Sequence, residues 1–301
     1  MPYFNYPWLG ETPLQWRTFL DTPPHEDKPA NAAVFVIPVP YDSTTSFKSG
    51  ARDGPAAIIE ASRHLEDYDV ELDCDISQAG IHTTPELQPR MHGPQSMVAA
   101  VRAAVEMTAS QGKLPVLLGG EHSITVGAVQ ALSKIHPDLS VLYIDAHADM
   151  RDSFMGTKWG HASVARRISE ICPLALIGVR SISSKERDYV EGQGITVQFW
   201  DGGSSACLDN AVALANDSLT ETIYISIDLD ALDPSIMAGV GTPEPGGMLW
   251  HEILALLHAA SHHSNIVGFD VVELNPSQGT VACAFTAAKL AYKLIGYATR
   301  H

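Results

Sequence analysis

Short runs of apolar, often β-branched residues alternate with longer helical patterns along most of this 301-residue chain, and this alternation limits the fold most. A strand, a crossover helix and a second parallel strand pack with one hand, so repeated units of this kind predict a parallel sheet with helices on both faces. We therefore expect a single α/β domain with three layers, α/β/α, around a mostly parallel sheet of about eight strands. The predicted strands are residues 33–37, 75–81, 116–118, 140–144, 174–178, 195–199, 223–227 and 266–270.

Local signals mark the helices between those strands. Pro55 stands where a proline suits the first turn of a helix, and the helical pattern of residues 95–111 stops at Gly112. Residues 1–30 are rich in proline and aromatic side chains, which indicates an arm that packs on the body or on a neighbouring subunit. Residues 31–301 then form one domain, since no internal repeat or low-complexity linker divides them. The other predicted helices are residues 124–135, 162–171, 207–216, 250–260 and 281–297.

The chain carries a strong negative charge, which excludes some classes of partner. Nineteen Lys and Arg residues against thirty-five Asp and Glu residues give a formal net charge of −16. Nucleic acid and anionic membranes both require a basic surface, so neither is expected as a partner, whereas a small cation suits this field. No apolar run reaches the roughly 18 residues that span a bilayer, and the N-terminus lacks the features of a secretory signal. Four cysteines without CxxC spacing indicate buried thiols of a reducing compartment, so we expect a cytoplasmic protein.

The densest group of chemically active residues follows the predicted strand 140–144. Asp145, His147 and Asp149 alternate with two alanines, so in extended geometry the three side chains share one face. Such groups on one buried face repel each other unless a cation lies between them. The alternative, one aspartate that caps a helix beside a histidine in the core, explains only part of the triplet. The triplet therefore favours a metal site.

Two further strand ends carry residues of the same kind. Asp228 and Asp230 follow the predicted strand 223–227 and again share one face. His122 follows the strand 116–118 and two glycines, which allow a tight turn at the strand end. Because ligands of open parallel sheets bind beyond the carboxyl ends of the strands, we expect these three ends to form one site.

Together the three strand ends supply four carboxylates and two imidazoles, with no thiolate. Four negative charges match two divalent cations, and this oxygen-rich set suits manganese better than structural zinc. Zinc, cobalt, nickel or iron are also compatible with such ligands. Two ions about 3.5–4 Å apart can share one water and lower its pKa, which makes it a nucleophile at neutral pH.

The chain resembles the ureohydrolase family, which includes arginase and agmatinase. The matching segments are LLGGEHS, YIDAHADMRD, SIDLDALDP and GFDVVELNP, and the resemblance extends over roughly residues 30–298. It implies an arginase-like fold, a ureohydrolase catalytic domain over residues 31–301, two Mn²⁺ ions per subunit, and a homotrimer or homohexamer. By position, the more buried ion would be held by His122, Asp145, Asp149 and Asp228. The second ion would be held by Asp145, His147, Asp228 and Asp230.

The resemblance also implies roles for three residues near the reacting carbon. His161, in KWGHASVARR, matches the family's proton-shuttle histidine, although without the family an ordinary histidine at a helix start explains it equally well. Glu273, in VVELNP, matches the carboxylate that grips the guanidinium group by charge-assisted hydrogen bonds. Without the family, a surface glutamate in a loop is the better explanation of Glu273. Asp230 is expected to pass a proton to the leaving amine.

The implied reaction is hydrolysis of a guanidino group to urea and an amine. Residues 149–161 are more similar to bacterial and archaeal agmatinases than to arginases. This favours agmatine as the substrate, with urea and putrescine as products, in polyamine biosynthesis. Ser153, Phe154 and Met155 stand where agmatinases usually carry acidic residues and a tyrosine. Guanidinobutyrate, guanidinopropionate or a similar guanidino compound is therefore the alternative substrate.

Two other classes of protein stay open on the sequence. A deacetylase-like enzyme on a related fold uses a single metal ion, but His122 and Asp149 complete a second set of ligands here. A catalytically silent paralogue would be expected to lose metal ligands, whereas all six are present. Urea release by manganese-loaded protein separates both from a ureohydrolase.

Overall fold

The structure is a computed structural model that describes residues 17–22 and 27–300. The arm predicted over residues 1–30 lies largely outside the described residues, and its boundary with the domain stays a prediction. The short segment 17–22 packs on the body of the protein. There, the Phe19 side chain is fully buried and its backbone N–H donates to the Thr83 hydroxyl.

Eight strands form one sheet, and two further strands form a separate short hairpin. The strands are β1 (Val34–Val39), β2 (Tyr68–Asp69), β3 (Cys74–Asp75), β4 (Ile81–Thr83), β5 (Leu114–Gly119), β6 (Ser140–Ile144), β7 (Leu174–Val179), β8 (Thr196–Phe199), β9 (Thr222–Asp228) and β10 (Asn265–Val272). The order in the main sheet is β4-β1-β5-β10-β9-β6-β7-β8. Every neighbouring pair in it is parallel, as the alternation of strands and helices predicts.

Helices cover both faces of this sheet. They are α1 (Gly54–Ser62), α2 (Pro94–Ala109), α3 (Thr125–Ile135), α4 (Val164–Ser169), α5 (Ser184–Gln193), α6 (Ser205–Ser218), α7 (Trp250–His263) and α8 (Val281–Thr299). Alternate residues of β6 enter different cores: Leu142 and Ile144 pack with α1, α6, α7 and α8, whereas Val141 and Tyr143 pack with α2 to α5. The three-layer α/β/α architecture predicted from the sequence is confirmed.

The predicted strand at residues 75–81 is wrong. Ile76–Ala79 is a 3-10 helix, and the carboxylate of Asp75 accepts a hydrogen bond from the backbone N–H of Ser77 at its start. Such local side-chain bonds compete with strand pairing. Gly80, with φ of 73°, ends the turn, and the strand β4 begins only after it.

Helix α5 is absent from the sequence predictions because its sequence is polar. Of its ten residues, only Glu186 and Val190 are buried, so no apolar periodicity marks it. A local signal was present: the Ser183 side chain and the Glu186 carboxylate form a capping box at its start.

The sheet order brings four strand ends together. The ends of β5, β10, β9 and β6 are neighbours at one edge, and they carry His122, Glu273, Asp228 and Asp145. No helix in the described ranges is long and apolar enough to cross a membrane. All four cysteines are free thiols, of which two are buried and two are only partly buried, so the expectation of buried thiols holds for two.

Candidate metal centre

The six predicted metal ligands converge at the carboxyl ends of β5, β6 and β9. This acidic cluster consists of His122, Asp145, His147, Asp149, Asp228 and Asp230. Ligand atoms of His122, Asp145 and Asp149 lie within 4.8 Å of one another. Ligand atoms of Asp145, His147 and Asp230 form a second group of the same size. Asp145 belongs to both groups, as a residue that bridges two ions would.

Asp228 adds a further carboxylate to the more buried group. Its Oδ2 lies 3.1 Å from His122 Nδ1, while its Oδ1 accepts the Asp230 N–H at 2.9 Å. The same His122 nitrogen lies 3.1 Å from Asp145 Oδ2 and 3.7 Å from Asp149 Oδ2. One ring nitrogen therefore faces three carboxylates.

The other ring nitrogen determines what His122 Nδ1 can offer. His122 Nε2 lies 2.8 Å from Ser226 Oγ, and that hydroxyl donates to Asp270 Oδ1 at 2.7 Å. Because the Ser226 proton is used on Asp270, Ser226 accepts from His122 Nε2–H, and neutral His122 directs the Nδ1 lone pair at the carboxylates. Asp145 Oδ2 is buried and accepts no hydrogen bond. A cation satisfies both the lone pair and this oxygen, so the residues present fit a metal ion.

The charges of the acidic cluster do not balance. All four carboxylates are buried, and even with both imidazoles protonated, two of the four negative charges stay unpaired. Burial, followed by repulsion from neighbouring carboxylates, raises the pKa of Asp149, Asp228 and Asp230. Burial would also raise the pKa of Asp145, but the two imidazoles outweigh it and lower that pKa. Folding thus concentrates negative charge that a bound cation would stabilise.

One side of the cluster is more open and is fixed by a neighbouring loop. The His147 side chain is 26% exposed, and its Nδ1 lies 2.9 Å from Asp230 Oδ2. The Thr242 hydroxyl donates to the same Asp230 oxygen at 3.3 Å. The Arg180 guanidinium donates to the backbone carbonyls of Asp230 at 2.7 Å and Glu244 at 2.8 Å. Arg180 therefore anchors the loop of Thr242 and Glu244 to the end of β9.

The residues after β6 do not continue the strand, so the expected alternation of side chains is wrong in detail. Strand β6 ends at Ile144, and Asp149 adopts the left-handed region with φ of 49°. His147 forms an isolated bridge with Ser181 of the neighbouring chain segment. Asp145, His147 and Asp149 nonetheless converge, because the chain curls around the site.

Glu273 and His161 line a cavity of about 340 Å³ together with every residue of the acidic cluster except Asp145. Glu273 directly follows β10, and its Oε1 accepts the His122 backbone N–H at 2.7 Å. Burial, followed by the nearby Glu121 carboxylate, raises the pKa of Glu273 to about 8. Burial, followed by the charges of His122 and His147, lowers the pKa of His161 to about 4. This lowered pKa favours the neutral form of the His161 ring.

Asp270 and Ser226 hold His122 but were not singled out from the sequence. Asp270 lies within β10, is fully buried, and accepts hydrogen bonds from the hydroxyls of Thr125, Tyr224 and Ser226. A charged residue inside an apolar strand such as GFDVV is the signal that could have revealed it, because a buried carboxylate requires partners.

Tyr143 and Glu121 were also missed. Tyr143 donates to Asp149 Oδ2 at 2.8 Å, and its ring stacks on His122 with 4.6 Å between centroids. Glu121 precedes His122 and is fully buried. The motif GGEHS gives no signal for the direction of its carboxylate, so the sequence could not reveal its partners. Tyr143 thus supports the cluster directly, and neither residue is part of the cavity lining.

The outer part of the cavity carries cationic and aromatic side chains. The Arg151 guanidinium lies 4.7 Å from the Phe154 ring centre, and its Nε lies 3.9 Å from the Glu186 carboxylate. The rings of Phe154 and His161 meet edge to face, with 5.9 Å between their centroids. Lys48 also lines the cavity. Phe154, one of the residues that depart from the agmatinase pattern, thus lies in the lining of this cavity beside His161.

Comparison with known proteins gives a consistent result. A sequence model of the arginase family matches residues 32–296. The chain is 40% identical over 277 residues to N(1)-aminopropylagmatine ureohydrolase of Synechocystis, covering 89% of this chain and 90% of that relative. It is 35% identical over 276 residues to agmatinase of Pyrococcus horikoshii, covering 90% and 93%. The crystal structure of agmatine ureohydrolase of Thermoplasma volcanium superposes with a TM-score of 0.83 at 30% identity, covering 95% of each chain.

Proposed function

Because this chain belongs to the arginase family, we propose that it hydrolyses agmatine to putrescine and urea. The coarser activity follows from the family: the chain is a hydrolase of the agmatinase-like ureohydrolases, which act on guanidino compounds. One observation supports hydrolysis of a cationic guanidine, and the names of two similar proteins favour agmatine among such substrates. A single cavity brings together residues of the acidic cluster, the Glu273 carboxylate and the His161 ring. A cationic guanidine needs the first two, and proton transfer needs the third.

The arginase family consists of binuclear metal enzymes, and this chain has a His/Asp cluster for such a centre. We assign one ion to His122, Asp145, Asp149 and Asp228. The other is assigned to Asp145, His147, Asp228 and Asp230. Two divalent ions bound there would lower the pKa of a water molecule and stabilise negative charge at the reacting carbon. Manganese is the proposed metal because carboxylates outnumber imidazoles, with cobalt, nickel and zinc as the alternatives.

Three residues of the chain would carry the reaction itself. Glu273, held by the His122 N–H through one oxygen, binds and orients the guanidinium group, whose positive charge favours the ionised form of this carboxyl group. Water attacks the guanidinium carbon, so that a C–O bond forms and the C–N bond to the alkyl chain breaks. The water loses two protons as its oxygen becomes the urea oxygen. Asp230 holds one of them at Oδ2 and passes it to the leaving amine nitrogen, and the other leaves through His161. His161 exchanges protons between the cavity and solvent at its ring nitrogen.

A second candidate substrate is N(1)-aminopropylagmatine, which would give urea and the corresponding triamine. Its support is the name of the relative that shares 40% identity with this chain. A third group, guanidines with a carboxylate tail, is supported by Arg151 and Lys48 on the cavity wall. The three differ in the charge of the tail, since the tails carry one positive charge, two positive charges or one negative charge.

A matched substrate panel decides between these proposals. Manganese-loaded protein is assayed for urea with agmatine, N(1)-aminopropylagmatine and 4-guanidinobutyrate, with arginine as the control for an amino-acid head group. We expect agmatine to give the highest kcat/KM and two metal ions to bind per chain. If N(1)-aminopropylagmatine or 4-guanidinobutyrate gives a higher kcat/KM than agmatine, that compound is the assigned substrate. No urea from any guanidine, or one metal ion per chain, contradicts the proposed function.

The assembly and location of the protein stay predictions. We propose a homotrimer or homohexamer, as the family resemblance implies, and multi-angle light scattering of the full chain measures it. A monomer in solution would contradict this proposal. The cytoplasmic location predicted from composition is measured by cell fractionation.

A further inference from the structure

We propose that Thr44 and Glu121 position His161, so that its Nδ1 is protonated and its Nε2 is the nitrogen that exchanges protons in the cavity. The effect on catalysis rests on the proposed function, whereas the protonation of the ring does not. Thr44 and Glu121 would be positioning residues, since they act on the reaction through His161.

Glu121 is the fixed end of this chain of hydrogen bonds. It is fully buried, and its Oε2 accepts the backbone N–H groups of Ser43 and Thr44, each at 2.6 Å. Its Oε1 accepts the hydroxyls of Thr44 at 2.8 Å and Ser123 at 2.5 Å. Four donors thus converge on one carboxylate, which acts as an acceptor throughout.

The Thr44 hydroxyl links this carboxylate to the histidine. Thr44 Oγ1 donates to Glu121, accepts the backbone N–H of His161 at 3.0 Å, and lies 3.1 Å from His161 Nδ1. A hydroxyl has one proton and two lone pairs. Because its proton is used on Glu121, Thr44 can only accept from His161 Nδ1–H.

The consequence for His161 is one fixed tautomer. With Nδ1 protonated, Nε2 carries the lone pair, and the ring lies in the wall of the substrate cavity. When Nε2 takes up a proton, the positive ring stays hydrogen-bonded through Thr44 to the Glu121 carboxylate. A histidine held in the wrong tautomer cannot accept a proton at the reacting side, as in other catalytic imidazole–carboxylate pairs.

Local packing brings these segments together. Gly120, just before Glu121, lies so close to the segment after β1 that a Cβ there would stand 2.0 Å from the Tyr41 carbonyl oxygen. Gly160, just before His161, packs on Thr44, and a Cβ there would stand 3.1 Å from Oγ1. Both glycines permit approaches that the hydrogen-bond chain requires.

Steady-state kinetics tests the positioning role. Thr44→Val removes the hydroxyl at similar volume, and we expect kcat to fall about 10- to 100-fold, as when a partner that orients a functional imidazole is lost. KM and metal content should change less than about twofold, and Thr44→Ser should recover most of the lost kcat. Thr108→Val is the matched control, because this buried hydroxyl bonds the Ala104 carbonyl within α2. Equal kcat in Thr44→Val and wild type would overturn the proposal.

A double-variant comparison separates positioning from general damage. In a His161→Asn background, Thr44→Val should lower kcat no further, since the residue it positions is absent. The same fold-loss in both backgrounds would assign Thr44 a purely structural role and overturn the proposal. The substrate is the panel guanidine with the highest kcat/KM.

The ring protonation is measured without any substrate. Two-bond ¹H–¹⁵N correlation of histidine-labelled protein with diamagnetic Zn²⁺ distinguishes protonated from bare ring nitrogens, and His161 is assigned by its loss in His161→Asn. We expect protonated Nδ1 and bare Nε2 in wild type, and a mixture of tautomers in Thr44→Val. A protonated Nε2 in wild type overturns the inference. If the wild type releases no urea, the proposed function fails, while this spectrum still decides the inference.

Discussion

Two clusters of ionisable side chains in the described part of the chain each centre on buried residues, and they are built differently. In the acidic cluster, four carboxylates face two imidazoles. In the second cluster, Lys293 on α8 donates to Asp69 at 2.8 Å and to Glu71. The Tyr297 hydroxyl donates to Glu71 at 2.9 Å, and Lys289 lies 3.6 Å from Asp69. We call Asp69, Glu71, Lys289 and Lys293 the lysine cluster.

The carboxylates of the lysine cluster have lowered pKa values, whereas three of the four carboxylates of the acidic cluster have raised ones. Burial would raise the pKa of Asp69, but the hydrogen bonds from Lys293 and the backbone N–H of Leu72 outweigh it and lower that pKa. In the acidic cluster, burial and neighbouring carboxylates raise the pKa of Asp149 and Asp228. Folding therefore favours the charged carboxylates of the lysine cluster and disfavours charge on three carboxylates of the acidic cluster. The lysine cluster is complete in the fold itself, whereas the acidic cluster needs a bound cation, which indicates a functional site.

Replacement of Asp228 by Asn gives the largest expected effect, because it alters only the unbalanced cluster. It removes a charge that both proposed metal positions share, so urea release should fall by on the order of 10⁴-fold or more, as for a member of a catalytic unit. Metal content, measured by atomic absorption, should fall with it. The metal-free variant should be at least as stable to urea as metal-free wild type, because like-charge repulsion is relieved. Normal turnover, or a clear loss of stability without metal, would contradict the comparison.

Replacement of Lys293 by Met should have the opposite result. It leaves the buried Asp69 carboxylate without its main cation, so the free energy of unfolding should fall by about 3–5 kcal/mol. The kcat and metal content should match wild type, because Lys293 lies outside the cavity lining. Urea unfolding followed by circular dichroism measures the loss. Lys289→Met is the control, with an expected loss below about 1 kcal/mol because Lys289 is 29% exposed and its ion pair is longer.

Metal binding should stabilise the protein through the acidic cluster alone. At a free Mn²⁺ concentration 100 times the Kd, the free energy of unfolding should rise by about 2.7 kcal/mol. Lys293→Met should keep this increment, and Asp228→Asn should lose most of it. Unfolding curves across a Mn²⁺ titration measure it, and an increment unchanged in Asp228→Asn would place the metal elsewhere.

The sequence predicts well those elements whose burial shows in the pattern of apolar residues along the element itself. Strand 140–144 matches β6 because a strand buried on both faces is a continuous apolar run. The strand at 75–81 failed because the Asp75 side chain bonds to the backbone N–H of Ser77 and favours a turn. Helix α5 was missed because most of its residues face solvent. The capping box at Ser183 and Glu186 marks the start of this helix, whereas no apolar face marks its length.

The same distinction applies to the candidate site. His122 and Asp145 could be found because strand ends of a parallel sheet meet at one edge. The link between Thr44 and Glu121 joins residues 77 positions apart. A hydroxyl that accepts and donates to distant partners has no signature in sequence spacing, so this part of the site required the structure.

Acid unfolding gives the smallest expected effect. It compares the sign of the change in unfolding free energy with pH for the two clusters. The lowered pKa of Asp69 means that its contribution to stability is complete above the unfolded pKa of about 3.9. This contribution is lost as pH falls through the lower folded value. Asp69→Asn should therefore flatten the fall in the free energy of unfolding below about pH 4, by up to about 1 kcal/mol.

The acidic cluster should give the opposite slope in metal-free protein. Because the pKa of Asp228 is raised, the folded state binds its proton first, and stability falls as pH rises through that value. Asp228→Asn should remove the fall in the free energy of unfolding that ionisation of Asp228 causes towards neutral pH. Asp69→Asn should leave this fall unchanged. Urea midpoints from pH 3 to pH 8 for the two metal-free variants measure both slopes. If both variants changed the slope with the same sign, the contrast between a balanced and an unbalanced cluster would be wrong.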